Sequence, residues 1–195
     1  MPSSDRVYVA YYSKPNPKHD QDYHFSILIC PKNPVIGVFD ESGAAPKIVN
    51  STIYHAVNLN NSPWRYESRA VPARTPRLLG VLCLGKLSGG STSIPVDRAR
   101  VDRLLKGVPI TVDCRVWVIN AIERLVTAGY IYTQSPQAFH RGYAAVLQKG
   151  CEFVYDKTTR KVREETFRTM SVFACDTFGS QIEPEIGPFQ VLTRN

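Results

Sequence analysis

The chain has no pair of cysteines at CxxC spacing, no Gly-rich phosphate loop, no internal repeat and no heptad run. The first absence removes the usual signature of a structural zinc site or a dithiol redox centre. The second removes the usual backbone cradle for nucleotide phosphates. Long apolar runs are missing too. No stretch approaches the roughly 18 apolar residues of a membrane span, and the polar opening residues lead into an apolar run too short for the core of a signal peptide. Histidine is scarce, with four in all, so imidazole chemistry must be assigned among His19, His24, His55 and His140. These absences predict a soluble cytoplasmic protein with no metal and no organic cofactor.

What remains is a chain of 195 residues, 43% hydrophobic, enough to bury one ordinary core. Its five cysteines, Cys30, Cys83, Cys114, Cys151 and Cys175, are odd in number and scattered, which fits a reducing compartment. Cys30 and Cys83 lie in the apolar runs SILIC and LLGVLCLG, where a free thiol acts as a small buried hydrophobe. Lys and Arg outnumber Asp and Glu by 24 to 17, a formal charge of +7. The cations thicken at Arg98, Arg100, Arg103 and Lys106, and again at Lys157, Arg160, Lys161, Arg163 and Arg168. Solvated helix faces are the plain reading, because Asp156, Glu164 and Glu165 are interleaved with the second group. An anionic partner is the alternative.

The first half reads as strands: RVYVAYYS, HFSILIC, STIYHAVNL, WRYESRAV and RLLGVLCLGKL are rich in β-branched and aromatic residues and separated by Pro and Asn turns. That order predicts an antiparallel meander. After a Ser/Gly loop, residues 95–105 read as a short helix capped near Gly107. Residues 113–128 form the clearest helix, with Trp117, Val118, Ala121, Ile122 and Leu125 on one stripe with Cys114 and Gly129 as the residue that closes it. Ser135-Pro136 predicts a further helix to Leu147. Residues 159–173 read as a weaker helix, and the last dozen as an irregular tail. The fold class expected is α+β, an antiparallel sheet packed against the helix that bears Cys114.

Thiol catalysis needs a thiolate, and an ordinary cysteine must be helped toward it. Asp113 is a good N-cap, so Cys114 falls at the first helical position, where free amides and the positive end of the helix dipole favour a negative sulfur. The same amides suit an oxyanion. The plain alternative is a packing cysteine on the apolar stripe. A nucleophile also needs a base. His24 and His55 stand in neighbouring strands that can bring both imidazoles to one end of the sheet, facing the Cys114 helix. His19 and His140 read as surface residues.

The order of His24 in YHFSILI, His55 in IYHAVNL and Cys114 in VDCRVWVINAIERL resembles the circularly permuted branch of the papain-like thiol enzymes. That branch includes the permuted NlpC-type peptidases and the lecithin:retinol acyltransferase-like proteins. NSPWRYESR and LLGVLCLGKL extend the likeness to a set of uncharacterised fungal proteins. The resemblance spans residues 7–130. It implies Cys114 as nucleophile, His24 as general base and His55 as the polar group that orients His24. Length and composition predict a single domain over residues 1–195, within which the resemblance implies a permuted papain-like core at 1–130 and leaves 131–195 as a C-terminal extension. Arg115-Val116-Trp117 departs from the polar motif that the acyltransferases carry after their cysteine, which argues against lipid acyl transfer.

Trp64, Tyr66 and Glu67 form a compact cluster suited to a substrate groove, with Glu67 available to a cationic group, and Tyr12 is placed to donate to an oxyanion. An ordinary edge strand is the competing reading. The expected function is therefore a cysteine-dependent acyl transfer through a thioester on Cys114. Its substrate is a small-molecule, peptide, acyl or aminoacyl group, and water or an amine is the acceptor. Aminoacyl-tRNA, held through the basic segments and used for peptide or cyclodipeptide synthesis, is the second expectation. A non-catalytic binding module with a basic surface is the third.

Overall fold

The computed structural model describes residues 5–14, 21–36, 38–39, 48–58, 62–89, 96–111, 113–132, 136–159, 171–188 and 190–191. Five long strands stand where the alternation of the sequence places them: β1 (Arg6–Tyr12), β2 (His24–Cys30), β4 (Ser51–Val57), β5 (Arg65–Val71) and β6 (Leu78–Leu87). A two-residue strand, β3 (Val38–Phe39), lies between β2 and β4 in sequence. The sheet runs β5-β4-β2-β1-β6 with every neighbour antiparallel. The meander therefore covers β1, β2, β4 and β5, and β6 returns to the free side of β1.

Two later strands complete the sheet on the far side of β6. These are β7 (Ile131–Tyr132), antiparallel, and β8 (Phe173–Cys175), parallel. The sheet is thus mixed rather than purely antiparallel. It also takes in residues 131–132 and 173–175, from beyond the expected 1–130 core. Phe173, expected to end a helix, opens this parallel strand instead, and residues 160–170 of that expected helix lie outside the described residues. A short β9 (Gln190–Val191) pairs in parallel with β3 in a separate ribbon, within the expected tail.

Both faces of the sheet are covered, because the strands are apolar on both sides. Val7, Val9 and Tyr11, Phe25 and Ile27, and Tyr54 and Ala56 point to the helical side. Tyr8, Ala10 and Tyr12, Leu28 and Cys30, and Ile53 point to the other, where Val172, Ala174 and Ile186 close over them. The helices are α1 (Arg98–Lys106), α2 (Cys114–Thr127) and α3 (Tyr143–Thr159). Burying side chains such as Trp117, Ile122 and Leu125 of α2, all fully enclosed, contributes up to about 2–3 kcal/mol each before entropy is charged against it.

The helix ends follow local chemistry. The Asp113 carboxylate accepts from the Val116 N–H at 2.8 Å, and Gly129 adopts φ 69° beyond the last turn of α2, the left-handed geometry glycine tolerates. Asp97 caps α1 in the same way, accepting from the Arg100 N–H. The helix predicted from Ser135-Pro136 to Leu147 divides instead. A 3-10 segment, Pro136–Arg141, stops at Gly142 with φ 88°, and α3 begins afresh and runs past Leu147 to Thr159. The left-handed glycine breaks the hydrogen-bond ladder that a single helix would need.

Candidate active site

His24 opens β2 and lies opposite Tyr12 at the end of β1, while His55 lies in β4 opposite Glu67 of β5. Strand alternation then decides the faces. The neighbours of the two histidines, Phe25, Tyr54 and Ala56, pack under α2, so both imidazoles project to the opposite side of the sheet. The expectation that they face the Cys114 helix is corrected here. Cys114 nevertheless reaches the same place, because the first turn of α2 ends beside the start of β2. The backbone amide of Phe25, the residue after His24, favours the negative form of its sulfur.

A cleft of about 780 Å³ opens at this end of the sheet, and Cys114, His24, His55, Tyr12 and Trp64 all line it. The volume suits a small organic ligand. Two imidazoles of its lining stand in a row that Glu67 continues behind them. His24 Nε2 lies 2.7 Å from His55 Nδ1, and His55 Nε2 lies 3.5 Å from Glu67 Oε1. The second contact is long for a hydrogen bond and close enough for electrostatic attraction. Glu67 Oε1 also lies 3.5 Å from Arg69 Nε, and its other carboxylate oxygen lies 3.9 Å from Arg65.

The charge of Glu67 favours one pair of tautomers. A carboxylate only accepts, so its field favours the His55 proton on Nε2, the nitrogen 3.5 Å from Glu67. The Nδ1 of His55 is then a lone pair and must accept, which puts the His24 proton on Nε2. The remaining nitrogen of His24, Nδ1, is left as a base.

Burial dominates the protonation of the site. It depresses His24 to about 3, with the positive fields of His55, Lys14 and Arg69 adding to the effect. Burial also lowers His55, against the attraction of Glu67. The Cys114 thiol is raised by burial, which outweighs the Phe25 N–H and the Lys14 charge that favour the thiolate. The thiolate expected from the helix terminus alone is thus not the resting form. At neutral pH the pair rests as thiol and neutral imidazole, a base without its proton beside an acid that still has one.

The other candidates separate. Tyr12 is buried in the cleft wall, its ring 6.4 Å from that of His24. Tyr66 turns to the helical side, where its hydroxyl donates to Asp102 of α1 at 2.8 Å and its ring lies 5.8 Å from Trp117. It ties β5 to the helices and does not line the cleft. Glu67 stands behind His55, 3.5 Å from its Nε2, and is not among the residues that line the cleft. His140 is exposed on the 3-10 segment, and His19 lies outside the described residues.

Of the remaining thiols, Cys30, Cys151 and Cys175 are buried and Cys83 half-buried, all free. Reading the sequence missed Lys14, Arg69 and Arg77 on the cleft wall. The outward alternation of Arg65, Glu67 and Arg69 was the one signal available for Arg69. Among the described residues no three His, Cys, Asp or Glu side chains are grouped to hold a metal ion, and no helix is long and apolar enough to cross a membrane.

No curated protein and no solved structure matches the chain. A family model does match, over residues 4–177, and the chain belongs to that family, a family of unknown function (DUF6914).

Proposed function

We propose that this member of a family without an assigned activity is a thiol acyl-transfer enzyme, with Cys114 as nucleophile, His24 as general base and the His55–Glu67 pair as the support that orients the base. The observation that carries the reading is the 2.7 Å contact from His24 Nε2 to His55 Nδ1 with Glu67 behind it. It leaves His24 Nδ1 unprotonated in a cleft that Cys114 also lines. The chain order of His24, His55 and Cys114 supports the same reading, because it is the order of the permuted papain-like thiol enzymes that the sequence resembles.

In the first step the thiol gives its proton to His24 Nδ1 while the sulfur attacks the carbonyl carbon of the acyl donor. The backbone N–H of Cys114 at the helix start faces the developing oxyanion, a partial positive charge that need not reorganise. The bond to the leaving amine or alcohol then breaks, and that group takes the proton from His24. A thioester remains on Cys114. Water or an amine attacks it with His24 again accepting the proton, and the thiol is restored. Because thiol and imidazole both rest neutral, proton transfer accompanies attack and does not precede it.

The test is acylation of the protein by p-nitrophenyl acetate, read by intact mass and peptide mapping. The expected result is one acetyl group on Cys114, none at that site in Cys114→Ala, and acylation slowed by about 10²-fold or more in His24→Gln, the usual scale for a general base. Wild-type protein that leaves Cys114 unmodified while other groups acylate would overturn the assignment. Acylation of Cys114 unaffected by His24→Gln would remove the base.

A further inference from the structure

The wall of the cleft carries three cations, Lys14, Arg69 and Arg77, and no Asp or Glu among the described residues that line it. The carboxylates nearby are already engaged. Asp22 is paired with the Lys14 ammonium, Glu67 with His55, Arg65 and Arg69, and Asp113 with the amide of Val116. Arg77 differs from the other two cations. Its backbone carbonyl accepts from the Ser13 N–H at 2.9 Å, which pins its segment to the end of β1. Its side chain is exposed and makes no ion pair among the described residues. The fields of these cations reach the reacting groups: Lys14 acts on both His24 and Cys114, and Arg69 on His24, His55 and Tyr12.

Asp22 and Glu67 offset Lys14 and Arg69 from outside the lining, so among the described residues Arg77 is the lining cation left to meet a ligand. Much of the rest of the wall is apolar, with Ile53, Val57, Trp64 and Val71 beside the polar Ser13, Asn58 and Thr75. A ligand that matches this lining carries a negative group on an apolar body. A cationic or purely polar ligand would leave part of the lining unmatched.

We propose that the acyl donor of this enzyme bears an anionic group, a carboxylate or a phosphate, on an apolar body, and that Arg77 is the principal residue that binds the anion, with Lys14 and Arg69 beside it. The inference rests on Cys114 being the nucleophile. A guanidinium presents paired N–H donors to either anion, and one without an ion pair on the wall of a partly enclosed cleft attracts anionic ligands there.

A matched pair of alkylating probes separates charge from reactivity. Iodoacetate and iodoacetamide both form a carbon–sulfur bond to Cys114 and release iodide, the thiol proton leaving the sulfur. They differ in the negative charge. The ratio of their rate constants at Cys114, divided by the same ratio for glutathione, is expected to exceed unity by about tenfold, within the range that focused fields produce. It should fall toward unity in Arg77→Gln and with rising ionic strength. A ratio at or below that of glutathione, or one unchanged in Arg77→Gln, overturns the proposal.

The source of the anion is read by protection. Phenylacetate, phenyl phosphate and the neutral phenylacetamide are compared for slowing iodoacetamide at Cys114. Protection by phenylacetate alone assigns a carboxylate, by phenyl phosphate alone a phosphate, and equal protection by all three overturns the anion preference. If iodoacetamide itself fails to react at Cys114 in native protein while it reacts after unfolding, the nucleophile assignment falls, and this proposal with it. Normal reaction with no charge preference refutes the anion site and leaves the nucleophile standing.

Discussion

Replacing His24 by Gln should flatten the acid limb of the stability curve, and the size of the change follows from the burial of the imidazole. An unfolded chain binds a proton at this position with an ordinary histidine pKa of about 6.5. In the folded protein burial, aided by His55, Lys14 and Arg69, brings it to about 3. Between those values the unfolded state holds a proton that the folded state lacks, so stability rises with pH in this window. It is intact above about 6.5, is lost progressively as pH falls, and stops falling below about 3. At about pH 5 the unfolded imidazole is almost wholly protonated, and the loss is roughly 1.5 pH units at about 1.4 kcal/mol each, or about 2 kcal/mol.

Gln removes the titration while its amide still donates toward His55 Nδ1. Urea unfolding at about pH 7 and about pH 5, followed by the fluorescence of the fully buried Trp117, gives the comparison. The wild type should lose about 2 kcal/mol more than His24→Gln between the two. His55 is lowered as well, so the variant keeps a residual slope. Parallel curves for the two proteins would refute the buried, neutral His24 on which the proposed general base depends.

Glu67→Gln removes the carboxylate that favours this His55 tautomer from 3.5 Å, and acylation of Cys114 should slow by about 10- to 100-fold, the usual scale for loss of an orienting partner. A rate within twofold of wild type would detach Glu67 from the site. Asp113→Ala removes the 2.8 Å cap on the Val116 N–H and should cost about 1 kcal/mol in urea unfolding, with slower alkylation of Cys114 as the first turn of α2 loosens. Gly150→Ala would place a Cβ 2.0 Å from the hydroxyl of Tyr11, which donates to the Leu147 carbonyl. Overpacking of about 1–3 kcal/mol should outweigh the roughly 1 kcal/mol that alanine gains in a helix, and Tyr11→Phe should relieve part of it in the double variant.

Much of the scaffold was legible in one dimension because its signals are local. β1, β2, β4, β5 and β6 appear where β-branched and aromatic runs end at Pro and Asn turns. Asp113 and Gly129 bound α2 because a cap and a left-handed glycine act within one turn of the residues they close. The strands β7, β8 and β9 carry two or three residues each, too few for a period to declare itself. Their existence depends on an exposed edge of β6 or β3 to pair with.

The sequence by itself determined that Cys114 sits first in an amphipathic helix and that His24 and His55 sit in strands. Only the tertiary structure decided what these residues can do together. Alternation says which residues share a face of one strand, but pairing register lies between distant segments. Register put Glu67 opposite His55 and turned Tyr66 away toward Asp102. Burial reversed the expected ionisation of the thiol, because desolvation depends on everything packed around a group and not on its place in a helix. The cations Lys14, Arg69 and Arg77 come from separate segments of the chain and line one cleft only because the sheet brings those segments together.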